Sequence, residues 1–267
     1  MSAVRPAAVA GLFYPDSPKV LGTQVRAYLA QATAVAEPAV RPKALIVPHA
    51  GYVYSGAIAA AAYRRLAAGC EDIRRVVLLG PAHRVPLQGL AVPTSDCFAT
   101  PLGDVTVDRA GVASALELPQ VSECDSAHAL EHSLEVQLPF LQTLLPGFRL
   151  VPLAVGDATA AEVAEVIELL WDGPETLIVV SSDLSHYHSY DVARAIDHSS
   201  AQTVLTLSPT LGFSQACGAL PINGLLTVAR RHGIQAELLD LRNSGDTAGD
   251  KARVVGYASF VFSESRP

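Results

Sequence analysis

No stretch of this 267-residue chain approaches the ~18 consecutive apolar residues of a membrane-spanning helix. Met1 to Pro15 also lacks the charged start and long apolar centre of a secretory signal, so the expected location is the cytoplasm. Basic runs are missing too: none exceeds a pair such as Arg64-Arg65 or Arg230-Arg231, and 19 Lys and Arg against 26 Asp and Glu leave a net charge of −7. That balance excludes a nucleic-acid partner, which needs a cationic face. The four cysteines, Cys70, Cys97, Cys124 and Cys217, are widely spaced and form no CxxC, so neither a disulfide framework nor a zinc knuckle is expected and each is a free thiol. A phosphate loop, a GxGxxG turn, a GxSxG elbow and an HExxH helix are all absent, which removes the nucleotide and serine-hydrolase readings.

What is present is apolar. Half of the residues are hydrophobic, enough to bury a large core. Three short apolar runs, Ala44 to Val47, Arg75 to Leu79 and Leu177 to Val180, have the length and β-branched content of strands covered on both faces. Each runs into histidine: His49, His83, and the pair His186 and His188 behind Ser181, Ser182 and Asp183. In an open α/β sheet the carboxyl ends of parallel strands are where ligands bind.

Helices are expected from Val20 to Ala32 behind the Asp16-Ser17-Pro18 start, from Ala57 to Ala68 ahead of Gly69, from Ala160 to Trp171, and around 191–206 and 221–232. Further strands are expected at Arg149 to Val155, Gln235 to Leu241 and Arg253 to Phe262, with Thr33 to Pro42 as a linker. The short pieces Leu90 to Pro93 and Asp104 to Val107 suggest a hairpin or flap near the site. Residues 134, 138, 141, 144 and 145 recur at helical spacing, so 131–145 reads as a helix kinked at Pro139, with His132 and Glu135 off its core face. The alternation of elements predicts a three-layer α/β fold with a mainly parallel central sheet, and no boundary divides residues 1–267 into more than a single domain.

The polar inventory in turn contexts is His49, His83, Asp183, His186, His188 and Cys217. Imidazole and thiolate donors suit iron, copper or zinc better than magnesium. His128, His198 and His232 read as solvated, and Cys70, Cys97 and Cys124 as small fillers or surface thiols. Cys217 fits a packing residue at a helix terminus as well as it fits a donor, and Tyr52 and Tyr54 either line a pocket or pack under the following helix.

The motifs Pro48-His-Ala-Gly-Tyr-Val-Tyr-Ser-Gly56, Leu79-Gly-Pro-Ala-His83, Glu131-His-Ser-Leu-Glu-Val-Gln-Leu-Pro139, Val180-Ser-Ser-Asp-Leu-Ser-His186, Cys217-Gly and Ser244-Gly-Asp resemble the MEMO family, whose bacterial members are called AmmeMemoRadiSam system protein B. The resemblance spans nearly the whole chain. It implies the fold of the catalytic subunit of class III extradiol dioxygenases, enzymes that use non-haem Fe(II). It also implies that His49, His83 and Cys217 bind a metal, Fe(II) first and copper second, with Asp183 and His186 in the same pocket. His132, Glu131, Tyr54 and His188 are the further pocket candidates. His186 is the candidate general acid/base and Asp183 the residue that orients it or a ligand. The dioxygenases use two histidines and a carboxylate, whereas the third position here is a thiol, so ring cleavage does not carry over. A small molecule or peptide is the expected ligand, and the family name implies a functional link to AMMECR-like and radical SAM proteins. The alternative function is a non-catalytic binding module that uses the same pocket for a partner.

Overall fold

A computed structural model of the protein describes residues 3–32, 41–67 and 69–264. The strands are β1 (Val4–Arg5), β2 (Ala44–Val47), β3 (Arg75–Pro81), β4 (Leu90–Val92), β5 (Cys97–Thr100), β6 (Gly103–Thr106), β7 (Val121–Glu123), β8 (Arg149–Val155), β9 (Thr176–Ser181), β10 (His186–His188), β11 (Ile234–Asn243) and β12 (Val254–Glu264). The helices are α1 (Pro18–Gln31), α2 (Tyr52–Arg64), α3 (Arg109–Ala115), α4 (Asp125–Ala129), α5 (Leu138–Leu144), α6 (Ala160–Leu169), α7 (Tyr190–Leu205) and α8 (Ala219–Arg231).

The large sheet runs β10-β12-β2-β9-β3-β8-β4-β7, with β11 paired to β12. Its centre, β2-β9-β3-β8, is parallel, with Leu45 opposite Val179 and Leu79 opposite both Val180 and Leu153. These four strands are buried almost throughout, as their unbroken apolar runs require. The flanks are antiparallel: β12 turns against β2, and β4 against β8. The sheet is therefore mixed: parallel through its centre, antiparallel where β12 and β4 join that centre, and parallel again between β4 and the edge strand β7. Helices flank it, with α6 packed on α8 and α1 on α2. One contiguous core joins strand residues such as Ile46, Leu78 and Phe260 to Leu21, Tyr63, Ile167 and Leu226 of the helices. Among the described residues no helix is long and apolar enough to cross a membrane.

Several expectations need correction. Helix α2 begins at Tyr52 rather than Ala57, because Gly51 serves as its N-cap and the motif itself supplies the first turns. Residues Glu131 to Leu134 are not helical; a 3₁₀ turn over Glu135–Gln137 leads into α5, and Pro139 lies in the first turn of that helix, where its missing N–H costs nothing, so it starts a helix instead of kinking one. Glu135 is fully buried, paired with Arg5, and accepts the backbone N–H groups of Ala8 and Val9 and the Tyr14 hydroxyl. The pieces read as a flap do not pair with each other. Strand β4 joins the large sheet, while β6 pairs with β5 in a small sheet completed by β1. Neither lines the histidine cavity. The linker expected at Thr33 to Pro42 lies, over 33–40, outside the described residues. His128 is buried rather than solvated: its Nε2 is 3.0 Å from the Ala91 carbonyl oxygen. The fold's three strand ends with histidine all stand at one edge.

Candidate functional site

At the carboxyl end of the parallel strands a cavity of about 890 Å³ is lined by His49, His83, His132, Asp183, His186 and Cys217, with His188, Tyr187 and Phe213 toward its mouth. β2 runs through Pro48 to deliver His49, β3 delivers His83, β9 delivers Asp183, and β10 carries His186 and His188. Cys217 stands just before the amino end of α8. The approach there is close: a Cβ on Gly218 would lie 2.7 Å from the Ser182 Cβ, so only glycine lets α8 bring Cys217 against the end of β9. A second glycine, Gly80, does the same under β3, where a Cβ would sit 2.8 Å from Ser133 Oγ. That hydroxyl donates to the Pro81 carbonyl at 2.9 Å and holds segment 131–133 beneath the strand.

Three imidazoles meet at this edge. His49 is only 2% exposed, and its ring stands edge-on to His83 at 5.3 Å and to His132 at 5.4 Å. The His83 and His132 rings stack at 4.9 Å. One ligand atom from each of His49, His83 and His132 lies within 4.8 Å of the others. Cys217 Sγ is 3.3 Å from His49 Nε2 and 3.6 Å from the Asp183 carbonyl oxygen.

Each ring is held from behind. Glu131 accepts the backbone N–H groups of His83 at 2.6 Å, His132 at 2.9 Å and Ser133 at 2.9 Å, and stands 2.9 Å from His83 Nδ1. Burial alone would raise its pKa, but the nearby His132 ring and the hydrogen bonds from His83 outweigh that and hold the carboxyl well below the usual carboxylate range. An ionised Glu131 only accepts, so His83 Nδ1 carries hydrogen and its Nε2 is left with a lone pair. His132 Nδ1 lies 3.2 Å from the same carboxylate but out of line for a hydrogen bond, and Phe13 packs on its ring at 4.7 Å. Asp183 Oδ1 accepts the His49 backbone N–H at 2.8 Å, and burial raises its pKa. His186 Nδ1 is 2.8 Å from the Leu184 carbonyl oxygen.

Burial, then the neighbouring His83, pushes the His49 pKa well below its ordinary value, so this ring is neutral. Burial, with the Asp183 charge behind it, pushes the Cys217 thiol up to about 12. Cys217 is thus a thiol until a cation takes the place of its proton. The set offers neutral imidazole nitrogens and one displaceable S–H proton, which is donor chemistry for a borderline transition metal.

The cavity brings together His49, His83, Cys217, Asp183, His186, His132 and His188, while Glu131 stands directly behind it. Tyr54 is not among its lining residues; it is 39% exposed on α2, and it is Tyr52 that is buried, donating to the Val136 carbonyl. Sequence reasoning missed Phe13, Gln137, Arg84, Tyr187 and Phe213. Gln137 was visible as a polar residue inside an apolar helical pattern; the others carried no local signal.

A family model described as Memo-like protein matches residues 5–261. The chain belongs to the Memo family. Members similar to it include MEMO1 family proteins of Ignicoccus hospitalis, 36% identical with 97% of this chain and 98% of the relative covered, and of Aquifex aeolicus, 34% identical with 97% and 99% covered. Another, from Archaeoglobus fulgidus, is 37% identical over 95% of this chain and 97% of its own length. The Memo fold here also matches the crystal structure of an uncharacterised protein from Escherichia coli K12, with a TM-score of 0.56, 15% identity, and 83% of this chain and 99% of that one covered. At that identity the likeness concerns fold alone.

Proposed function

We propose that this Memo-family cavity holds a mononuclear transition-metal ion, Fe(II) first and copper second, on His49, His83 and Cys217, with His132 within reach as a further donor. The observation that carries the proposal is the orientation of the donors. Glu131 occupies His83 Nδ1, Ser181 Oγ stands 3.0 Å from His49 Nδ1, and Cys217 Sγ lies 3.3 Å from His49 Nε2. Histidines tied at one nitrogen and free at the other are how protein metal sites are built. When bound, such an ion supplies Lewis acidity and one-electron chemistry.

The chain's own residues then act on a small-molecule ligand in the cavity. His186, with Nδ1 set against the Leu184 carbonyl oxygen, keeps Nε2 to take or give a proton. Asp183 holds the His49 backbone, so its role is to orient a donor rather than to touch substrate. A dioxygenase-like oxidoreductase reading draws support from the motif resemblance, which implies a class III extradiol dioxygenase fold, and a cytoplasmic location from the free cysteines. The link to AMMECR-like and radical SAM proteins remains part of this proposal.

A second reading, a binding module for a peptide or protein, is favoured by the mouth of the cavity, where Tyr187 is 64% and Phe213 70% exposed. Tyr187 also has φ +63°, a left-handed conformation that is rare outside glycine and concentrated at functional sites.

Elemental analysis of protein purified without oxygen separates the two. Near-stoichiometric iron or copper, lost in His49→Ala, is the expected result; a metal-free parent that also refuses added Fe(II) and Cu would transfer the proposal to the binding module. If oxygen is consumed with a phenol or catechol, His186→Ala should keep the metal and lose ~10² to 10⁴ in rate.

A further inference from the structure

One side of the His49 ring faces the cavity; the other faces a buried chain of hydrogen bonds that ends on atoms with no freedom of role. The Pro48 carbonyl oxygen can only accept, so the Gln137 amide atom 2.9 Å from it is the nitrogen. The same nitrogen lies 2.8 Å from Ser181 Oγ and gives its second hydrogen there, while Gln137 Oε1 receives the Tyr63 hydroxyl at 3.0 Å. Ser181 Oγ also stands 2.6 Å from the Ser133 carbonyl oxygen, another pure acceptor. The single hydroxyl hydrogen of Ser181 is therefore committed to Ser133. Toward His49 Nδ1, 3.0 Å away, Ser181 has only a lone pair to offer. The hydrogen in that contact must come from His49.

We propose that Tyr63, Gln137 and Ser181 are positioning residues that lock His49 as the Nδ1–H tautomer, so that its Nε2 lone pair always faces Cys217 and any metal beside it. The reverse arrangement, with Ser181 donating to His49, would set two oxygens with no hydrogen between them at 2.6 Å inside the protein. Such an unmade hydrogen bond between buried acceptors is strongly disfavoured. Tyr63, Gln137 and Ser181 are all buried, so no bulk water competes for these roles. The far side of the ring agrees: Cys217 Sγ, 3.3 Å from Nε2, meets a lone pair that its S–H can donate to.

Two metal-facing histidines are thus oriented by different means. His83 answers to a charged carboxylate, Glu131, and His49 to a neutral relay that starts at Tyr63. The neutral device fixes geometry without placing a second anion behind the site.

The lock itself does not depend on metal, although its use rests on the metal reading above, and the experiment keeps the two apart. In metal-free protein labelled with ¹⁵N-histidine, long-range ¹H–¹⁵N correlation spectra at neutral pH should show His49, assigned by comparison with His49→Asn, with hydrogen on Nδ1 and an unprotonated Nε2. Hydrogen on Nε2 in the parent overturns the proposal, whatever the protein's metal affinity. A locked His49 in a protein that binds no Co(II) would leave the lock standing and remove the metal reading alone. Ser181→Ala, checked for a native melting transition, should mix the tautomers of His49, leave His83 unchanged, and weaken Co(II) binding by about 10- to 100-fold, the usual cost of losing an outer partner of a metal ligand. Parent-like tautomer and affinity in folded Ser181→Ala overturn the proposal. Ser181→Thr keeps the hydroxyl and should retain the parent tautomer, and the parent spectrum decides the matter even where Ser181→Ala does not fold.

Discussion

Two cavities of nearly equal size, about 890 and 830 Å³, lie at opposite ends of the same parallel strands. The second is lined by Lys43, Arg74 and Glu175, which immediately precede β2, β3 and β9, and by Arg41, Trp171 and His232. It is rich in charge, yet its cations are committed to the chain. Lys43 Nζ lies 2.6 Å from the Trp171 carbonyl oxygen, 2.7 Å from that of Gly173, 2.9 Å from that of Thr176 and 3.2 Å from that of Asp172. Arg41 donates to the Gly69 and Pro174 carbonyls, Arg74 to the Glu71 carbonyl, and His232 faces the Glu168 carboxylate while stacking on Trp171. At the carboxyl end the arrangement is reversed: His49, His83 and His186 are tied at Nδ1 to the chain and turn Nε2 away from that partner. Volume does not separate a site from a crevice. The number of polar atoms left over does.

The strongest way to break this comparison is at Cys217. Cys217→Ser should weaken Fe(II) or Cu binding by ~10²-fold or more while the fold persists, because a neutral hydroxyl replaces a thiolate donor. Titration with either metal, read by absorption, checks it, and unchanged affinity would strike Cys217 from the ligand set. At the opposite end Lys43→Met should do the converse. It removes the shared donor of several partly buried carbonyl oxygens and should cost about 1–2 kcal/mol in denaturant unfolding with no change in metal affinity. A shift in metal affinity there would mean that the two ends of the strands are not independent.

The next test contrasts a core imidazole with the site imidazoles. Burial lowers the His128 pKa from 6.5 to about 4, so the folded protein keeps this ring neutral while the unfolded chain takes up a proton near its ordinary value. Between those two pH values the unfolded state binds more protons, so stability falls as pH falls through the window, by on the order of 3 kcal/mol in total, and levels off below it. Urea titrations in that range should show the slope in the parent and lose most of it in His128→Gln. A smaller effect is expected from His132→Ala, with a stability loss below the ~2 kcal/mol of a truncated core side chain but altered spectra of bound metal. A large loss of stability with an unaltered metal spectrum would make His132 a packing residue. Smallest of all, Cys124→Ser should stay within about 0.5 kcal/mol and leave metal binding untouched.

How much of this was legible in advance depended on distance along the chain. Strands Ala44–Val47 and Arg149–Val155 were readable to the residue because an unbroken apolar run admits little else at that length. The stretch 131–145 misled because its apolar spacing reports burial, and Glu131, by accepting the N–H groups of His132 and Ser133 and of the distant His83, turns the chain before the helix can start. Glu135 looked solvent-facing since its partners, Arg5, Ala8, Val9 and Tyr14, lie more than 120 residues away. His128 could not be told from a surface histidine, because the partners of its buried ring, the Ala91 carbonyl and the Phe98 ring, are about thirty or more residues away. In the site, the residues at strand ends were found by their position after apolar runs. The relay behind His49 was not, for serine and glutamine are common and only the fold places Ser181 between Ser133, Gln137 and His49.

The contact between His49 and Cys217 closes a loop of 168 residues. Neither partner has a neighbour in sequence that could hold an ion with it, so a nascent or partly unfolded chain offers no local chelate. If the proposed ion binds at this edge, its affinity is a reading of global folding: metal that binds only the native state adds RT ln(1 + [M]/Kd), about 2.7 kcal/mol at a hundredfold excess over Kd. A chelator should accordingly lower the melting temperature of the whole molecule, including strands far from the histidines.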